Sequence, residues 1–135
     1  MVSPTVLWID DRPQTLQLRK AALEPHGYRV KLALSGYDAV KMLEGTRVDV
    51  VLLEYKLEGI DAEAVAGHIK TRYPELPIIL LSGHSEMPER VLWLVDAYVM
   101  RSEMSERLIG IIEGATHPRE IAVRSEGRPR GGAAA

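Results

Sequence analysis

Cysteine is absent from the sequence, which excludes a disulfide framework and any metal site built from cysteine thiolates. This absence is consistent with a reducing compartment. The formal net charge is -2, so no excess of charge attracts the chain to nucleic acid or to an anionic membrane surface. No apolar stretch approaches the roughly 20 residues that span a bilayer, and residues 1–9 do not resemble a signal peptide. These absences predict a soluble, cytoplasmic protein.

The 135 residues, of which 46% are hydrophobic, are sufficient for a single domain with one core. Short apolar segments alternate with segments of helical periodicity, which predicts a parallel sheet covered by helices on both faces. The predicted strands are residues 5–9, 28–34, 50–53, 78–81 and 97–100. Helices are predicted to start near residue 13 and to cover 35–45, 61–72, 88–94 and 105–115. The predicted fold class is therefore α/β.

Side-chain spacing also predicts which positions face the core. In the first helix, Leu18 and Ala22 are four residues apart, with Leu16, Ala21 and Leu23 nearby, and one face is therefore expected to be apolar. Alternation in the second strand predicts three inward positions, Val30, Leu32 and Leu34. Two further large side chains are expected in or near the core, Trp93 and Met100.

Polar side chains follow four of the predicted strands. They are Asp10 and Asp11, Glu54, Ser82 and Arg101. Because the carboxyl ends of parallel strands lie at one edge of the sheet, these groups are expected to share one cleft. Carboxylates, a hydroxyl and a cation in one cleft would suit Mg²⁺ beside a phosphoryl group. The alternatives are structural: the Asp-Asp pair and Ser82 could each cap a helix.

Four segments carry a resemblance to a known family. They are Val-Leu-Trp-Ile-Asp-Asp at 6–11, the Glu54 strand with the Gly59 loop, Ile-Ile-Leu-Leu-Ser-Gly-His at 78–84, and Asp-Ala-Tyr-Val-Met-Arg at 96–101. Together they resemble the receiver domain of two-component response regulators over residues 4–116. The resemblance implies a doubly wound flavodoxin-like sheet of five parallel strands in the order 2-1-3-4-5. It also implies phosphoryl transfer from a histidine kinase to an aspartate that ends the third strand.

The resemblance further implies a role for each matching position. Glu54 stands at the phosphoacceptor position, and Ser82 and Arg101 stand where the family contacts the phosphoryl oxygens. Tyr98 stands at the position of the switch aromatic, although a half-buried strand tyrosine is the alternative interpretation. The implied Mg²⁺ ligands are Asp10, Asp11 and Glu54.

The sequence departs from the family pattern at several of these positions. Glu54 replaces the acceptor aspartate, Arg101 replaces a lysine, and Ser102 and Glu58 replace prolines. The segment between Ser82 and Arg101 is also a few residues shorter than usual.

The two site substitutions suggest a common hypothesis. Glutamate extends its carboxylate one methylene further into the cleft, toward the place of the phosphoryl oxygens of a phosphoaspartate. Arginine pairs with carboxylates through a bidentate fork. We therefore expect a direct Glu54–Arg101 ion pair that imitates the phosphorylated state. Whether Mg²⁺ also binds is left open, because Arg101 could occupy its space.

These observations predict a stand-alone, atypical receiver in signal transduction that is not an enzyme and is not phosphorylated in the usual way. The expected partner is a protein, a histidine kinase or a downstream effector, bound through the last helix and last strand. The same face offers a route to a homodimer through the apolar segment at 92–94. Residues 117–135 are Gly-, Arg- and Ala-rich and are predicted to be a disordered tail that binds no nucleic acid.

Two alternatives remain open from the sequence. The domain could keep a conformational switch and receive its input from a partner or a small ligand. It could instead be a small Mg²⁺-dependent phosphotransfer or phosphatase enzyme with Asp10 as nucleophile. The second alternative usually requires a general acid two residues later, where this chain has Arg12.

Overall fold

Five strands form one parallel sheet in the order β2-β1-β3-β4-β5. They are β1 (Thr5–Ile9), β2 (Arg29–Ala33), β3 (Val50–Glu54), β4 (Ile78–Ser82) and β5 (Ala97–Met100). The computed structural model describes residues 3–55, 61–83 and 86–116. Both the α/β fold class and the predicted strand order 2-1-3-4-5 are confirmed.

In the part of the chain that the structure describes, four α-helices connect the strands and a fifth follows β5. They are α1 (Leu16–Leu23), α2 (Gly36–Gly45), α3 (Ala62–Arg72), α4 (Glu89–Leu92) and α5 (Met104–Thr116). A 3₁₀ helix (Pro13–Thr15) precedes α1, and another (Arg101–Glu103) precedes α5. Ser35 and Asp61 cap α2 and α3, since each side chain accepts a hydrogen bond from the backbone N–H three residues later. Within the described residues, no helix has the length and apolar character needed to cross a bilayer.

The sheet separates two apolar clusters, because successive side chains of a strand point to opposite faces. Residues of β1, β3 and β4 are buried along the whole of each strand, as expected for strands covered on both sides. One cluster includes Leu7 and Leu53 and is covered by α2, α3 and Val91 of α4. The other includes Trp8 and Leu52 and is covered by α1 and α5. The even-numbered positions of β1 and β3 therefore face α1 and α5.

The predicted inward face of α1 was wrong in part. Leu18 is 65% exposed and Ala22 is also exposed, whereas Arg19 and Leu23 are buried. The helix is turned so that Leu23 enters the cluster around Trp8. This orientation also directs Arg19 toward the carboxyl end of the sheet, where buried carboxylates compensate its charge.

Two other packing predictions were wrong in part. Val30 is buried and Leu32 half-buried as predicted, but Leu34 is 39% exposed because β2 ends at Ala33. Trp93 is 65% exposed, since α4 ends at Leu92 and directs Val91 into the core instead. Met100 is half-buried.

Several predictions concern residues outside the described ranges. They are the Gly59 loop, the substitution at Glu58, His84 in the fourth-strand motif and the tail at 117–135.

Candidate functional site

Glu54 ends β3 and is completely buried. Strand alternation places it on the face that carries Leu52, in the direction of α1. Its Oε2 accepts hydrogen bonds from the indole Nε1 of Trp8 at 3.0 Å and from Nη2 of Arg19 at 3.1 Å. Its Oε1 accepts a hydrogen bond from Nη2 of Arg101. Both carboxylate oxygens are therefore engaged by donors of the chain itself.

Arg19 links two carboxylates that end neighbouring strands. Its Nη2 lies 3.1 Å from Oδ2 of Asp10 and 3.1 Å from Oε2 of Glu54. The guanidinium carbon lies 4.3 Å from the centre of the Trp8 ring, within the range of a cation–π interaction. Arg19 thus joins β1 and β3 through one buried positive charge.

Asp10 follows β1 directly and is also completely buried. Arg12 forms a fork with it, with Nε at 3.0 Å from Oδ1 and Nη2 at 3.0 Å from Oδ2. The backbone N–H of Arg12 also donates to Oδ1 at 3.1 Å. This last contact is the local turn that a short Asp side chain makes with the residue two positions later.

The pKa of Asp10 reflects this environment. Burial alone would raise it, but the hydrogen bonds from Arg12 and Arg19 outweigh burial and hold this pKa below its ordinary value. The pKa of Arg12 is raised, chiefly by its hydrogen bond to Asp10 and further by the negative charges of Asp10, Glu54 and Asp11. Both groups are therefore held in their charged forms.

The lowered pKa of Asp10 predicts an acid dependence of stability. Above the ordinary value of 3.8 the charged Asp10 stabilises the fold, and this contribution is lost as the pH falls through the lower pKa of the folded state. Replacing Arg12 with Gln raises the folded-state pKa, so we expect Arg12→Gln to lose less stability on acidification than the wild type. Urea unfolding between pH 7 and pH 3 measures this. Arg47→Gln is the control, because Arg47 forms an exposed pair with Asp49. Equal acid dependence in the wild type and Arg12→Gln would contradict the prediction.

The remaining predicted site residues lie around this cluster. Asp11 is half-buried beside Asp10. Ser82 is buried at the end of β4, where the ladder pairs it with Met100, the residue before Arg101. It does not cap α4, whose N-cap is Pro88.

Tyr98 and Arg101 come from the last strand and the residue that follows it. Tyr98 is half-buried opposite Leu80 and packs against the apolar cluster that α2 and α3 cover. The Glu54–Arg101 ion pair expected from the sequence is present. Arg101 is partly exposed, so this pair lies at the boundary between the core and the solvent.

Three contributors to the site were missed from the sequence: Arg12, Arg19 and Trp8. Arg19 was missed because the face containing Leu18 was taken as the buried one. A signal was nevertheless present, since Leu16, Arg19 and Leu23 recur at intervals of three and four residues. Such a stripe, with one arginine between two leucines, indicates a helix whose buried face meets a negative charge.

The donor set does not fit a divalent metal ion. Mg²⁺ requires oxygen ligands, but nitrogen donors already occupy the carboxylate oxygens of Asp10 and Glu54. Among the residues that the structure describes, no group of three or more His, Cys, Asp or Glu side chains is arranged to hold a metal. Arg19, and not a group of metal ligands, joins the predicted site residues Asp10 and Glu54 in this structure.

Known proteins share this architecture. The family model of the response regulator receiver domain matches residues 6–102. The transcriptional regulatory protein AfsQ1 of Streptomyces coelicolor is 35% identical over 101 residues, which are 73% of this chain and 44% of AfsQ1. GlrR of Escherichia coli K12 is 30% identical over 86 residues, which are 64% of this chain and 19% of GlrR. The chain therefore spans less than half the length of these curated relatives.

Solved structures agree with the sequence comparison. The response regulator TrrA of Thermotoga maritima, crystallised with Mg²⁺-BeF, superposes with a TM-score of 0.75 at 29% identity. The match covers 83% of this chain and 98% of TrrA. TrrA has also been crystallised with the histidine kinase ThkA. From the matched sequence, the strand order and these structures, the chain belongs to the response regulator receiver domain family of two-component signal transduction.

Proposed function

We propose that this receiver domain signals by binding a protein partner and does not carry a phosphoryl group on Glu54. The observation that supports the proposal most directly is the complete burial of Glu54, with each carboxylate oxygen engaged by an arginine of the chain. A phosphoacceptor must present a free oxygen in line with the donor, and a misplacement of about 1 Å can cost on the order of 100-fold in rate. Phosphorylation of Glu54 would have to break its contacts with Arg19 and Arg101.

The Glu54–Arg101 ion pair supports a conformation fixed without phosphorylation. In the family, a lysine at the position of Arg101 contacts the acyl phosphate. Here a permanently charged guanidinium contacts a carboxylate that reaches further into the cleft. We propose that this pair replaces the phosphoryl-dependent contact and that Tyr98, in β5 three residues before Arg101, keeps a single orientation.

The proposed partner surface comprises β5, α5 and the segment from α4 to Trp93. Trp93 is 65% exposed and Leu92 is 39% exposed, so this surface presents apolar groups to a partner. The relative TrrA forms a complex with a histidine kinase, which makes a kinase or a downstream effector the proposed class of partner. The same apolar groups would also serve a homodimer.

An enzymatic role for Asp10 has less support. A nucleophilic carboxylate needs a free oxygen, and Arg12 forms a fork with both oxygens of Asp10. The residue that would have to serve as general acid is therefore the one that neutralises the nucleophile.

Incubation with acetyl phosphate and Mg²⁺, followed by intact-mass spectrometry, tests the proposal. We expect the wild type to stay unmodified. The control is a double variant, Glu54→Asp with Arg19→Met, which restores the shorter acceptor and removes the competing guanidinium, and which we expect to gain a phosphoryl group. A phosphoryl group on wild-type Glu54, located by peptide mapping, would overturn the proposal.

A further inference from the structure

One nitrogen atom of Arg19 lies between the two buried carboxylates of the cleft. Nη2 of Arg19 donates to an oxygen of Asp10 and to an oxygen of Glu54, each at 3.1 Å. A metal ion shared by these two carboxylates would have to bind the same oxygens, with Mg²⁺ at about 2.0–2.1 Å. The guanidinium and a bridging metal ion therefore exclude one another.

Arg19 is held in this position from several sides. It extends from α1, and Leu23, one turn later on the same face, is completely buried. The Trp8 ring lies 4.3 Å from the guanidinium carbon. The Nε atom of Arg19 is buried and has no hydrogen-bond partner among the described residues. A buried donor left unpaired is unfavourable, and the contacts of Arg19 with the two carboxylates and the Trp8 ring offset this cost.

The charges in the cleft are balanced by the protein itself. The carboxylates of Asp10, Asp11 and Glu54 are accompanied by three guanidinium groups, those of Arg12, Arg19 and Arg101. A guanidinium remains protonated at any physiological pH, so this positive charge cannot dissociate as a metal ion can. Of the three arginines, Arg19 is the one whose ion pairs join Asp10 to Glu54.

We propose that Arg19 is a built-in cation that takes the place of a divalent metal ion in this cleft. The wild-type domain then keeps its cleft assembled without metal. Without the Arg19 charge, a divalent cation bridges Asp10 and Glu54 and displaces the partly exposed Arg12 side chain from the Asp10 oxygen. The inference deepens the proposed function, since it names what holds the cleft together. The inference is tested by metal binding, whereas the proposed function is tested by phosphorylation of Glu54. Each can therefore fail while the other holds.

Titration with Mg²⁺ and with paramagnetic Mn²⁺ tests this inference. Trp8 donates to Glu54 and reports on the cleft by its fluorescence, and Trp93→Phe removes the signal of the exposed tryptophan. The Trp93→Phe protein is the parent, and we compare it with the same protein carrying Arg19→Met or Arg19→Gln. We expect both variants to bind each ion saturably and at least about tenfold more tightly than the parent, whose fluorescence should not saturate.

Two further variants locate the effect. Arg12→Met removes a guanidinium that contacts Asp10 but does not reach Glu54 in the cluster, so it should not match the gain of Arg19→Met. Adding Asp10→Asn to Arg19→Met should abolish the new binding.

Each other outcome overturns the inference or supports it. The inference is overturned if the parent binds metal as tightly as Arg19→Met does. It is also overturned if Arg12→Met gains as much metal affinity as Arg19→Met. A third contradicting result is that Arg19→Met and Arg19→Gln both fold but bind no metal. If neither Arg19 variant folds without metal, circular dichroism decides. Folding restored by Mg²⁺ supports the inference, and no restoration overturns it.

Discussion

We expect Glu54→Gln to lower the free energy of unfolding by about 3–5 kcal/mol, the range for breaking a buried ion pair by removal of one partner. Glu54 is completely buried and pairs with Arg19, whose side chain is only 9% exposed. The amide of Gln has nearly the same size as the carboxylate, so the change removes charge and creates no cavity. It leaves Arg19 with Asp10 as its single carboxylate partner and turns the amide donor of Gln toward the guanidinium group of either Arg19 or Arg101.

Glu63→Gln is the matched control for this variant. Glu63 accepts hydrogen bonds from Arg90 between two helices, but both side chains are exposed. Exposed pairs contribute about 0–1 kcal/mol, so the same substitution should have little effect there. Urea unfolding at constant ionic strength is the suitable measurement, because guanidinium chloride screens ion pairs and competes with them. Equally small losses in both variants would show that the buried pair does not stabilise the fold.

For Trp8→Ala we expect a loss of similar size, about 3–5 kcal/mol in the free energy of unfolding. Trp8 is completely buried in the centre of β1, next to Leu32 of β2 and Leu52 of β3. Its ring also contacts the guanidinium of Arg19, and its Nε1 donates to Glu54. The substitution therefore creates a cavity in the core and removes a donor from the buried carboxylate.

Trp93→Ala provides the comparison. Trp93 is 65% exposed, and a surface substitution changes stability by about 0.5 kcal/mol or less. Trp8→Phe separates the two roles of Trp8, because it retains most of the ring and removes the N–H donor. Chemical denaturation of the three variants measures the effects. Similar losses for Trp8→Ala and Trp93→Ala would contradict the assignment of Trp8 to the core.

The cleft of this receiver is organised around internal ion pairs. Asp10 and Glu54 are both buried and both contact Arg19, while Arg12 and Arg101 pair with them from the side of the solvent. TrrA, which has the same fold, was crystallised with Mg²⁺-BeF. In the present chain, arginine nitrogens contact the carboxylate oxygens of Asp10 and Glu54. These contacts are the physical basis for proposing a metal-independent and phosphorylation-independent domain.

Much of the architecture was determined by the sequence alone. The apolar runs that became β3 and β4 are buried along their whole length, so composition was enough to identify them. The predicted strand order 2-1-3-4-5 agrees with the structure. Glu54 and Arg101 follow two parallel strands, and the ion pair expected between them is present.

The tertiary structure decided which face of α1 is buried. The stripe containing Leu18 and the stripe containing Arg19 both have helical spacing, and hydrophobicity alone favours the first. The second is buried because Leu23 packs near Trp8 and because two carboxylates compensate the charge of Arg19. The energy of a buried arginine depends on charges that are distant in the sequence, Glu54 being 35 residues away. The sequence therefore determined the sheet and the groups at its edge, and only the folded chain decided that Arg19 would lie between them.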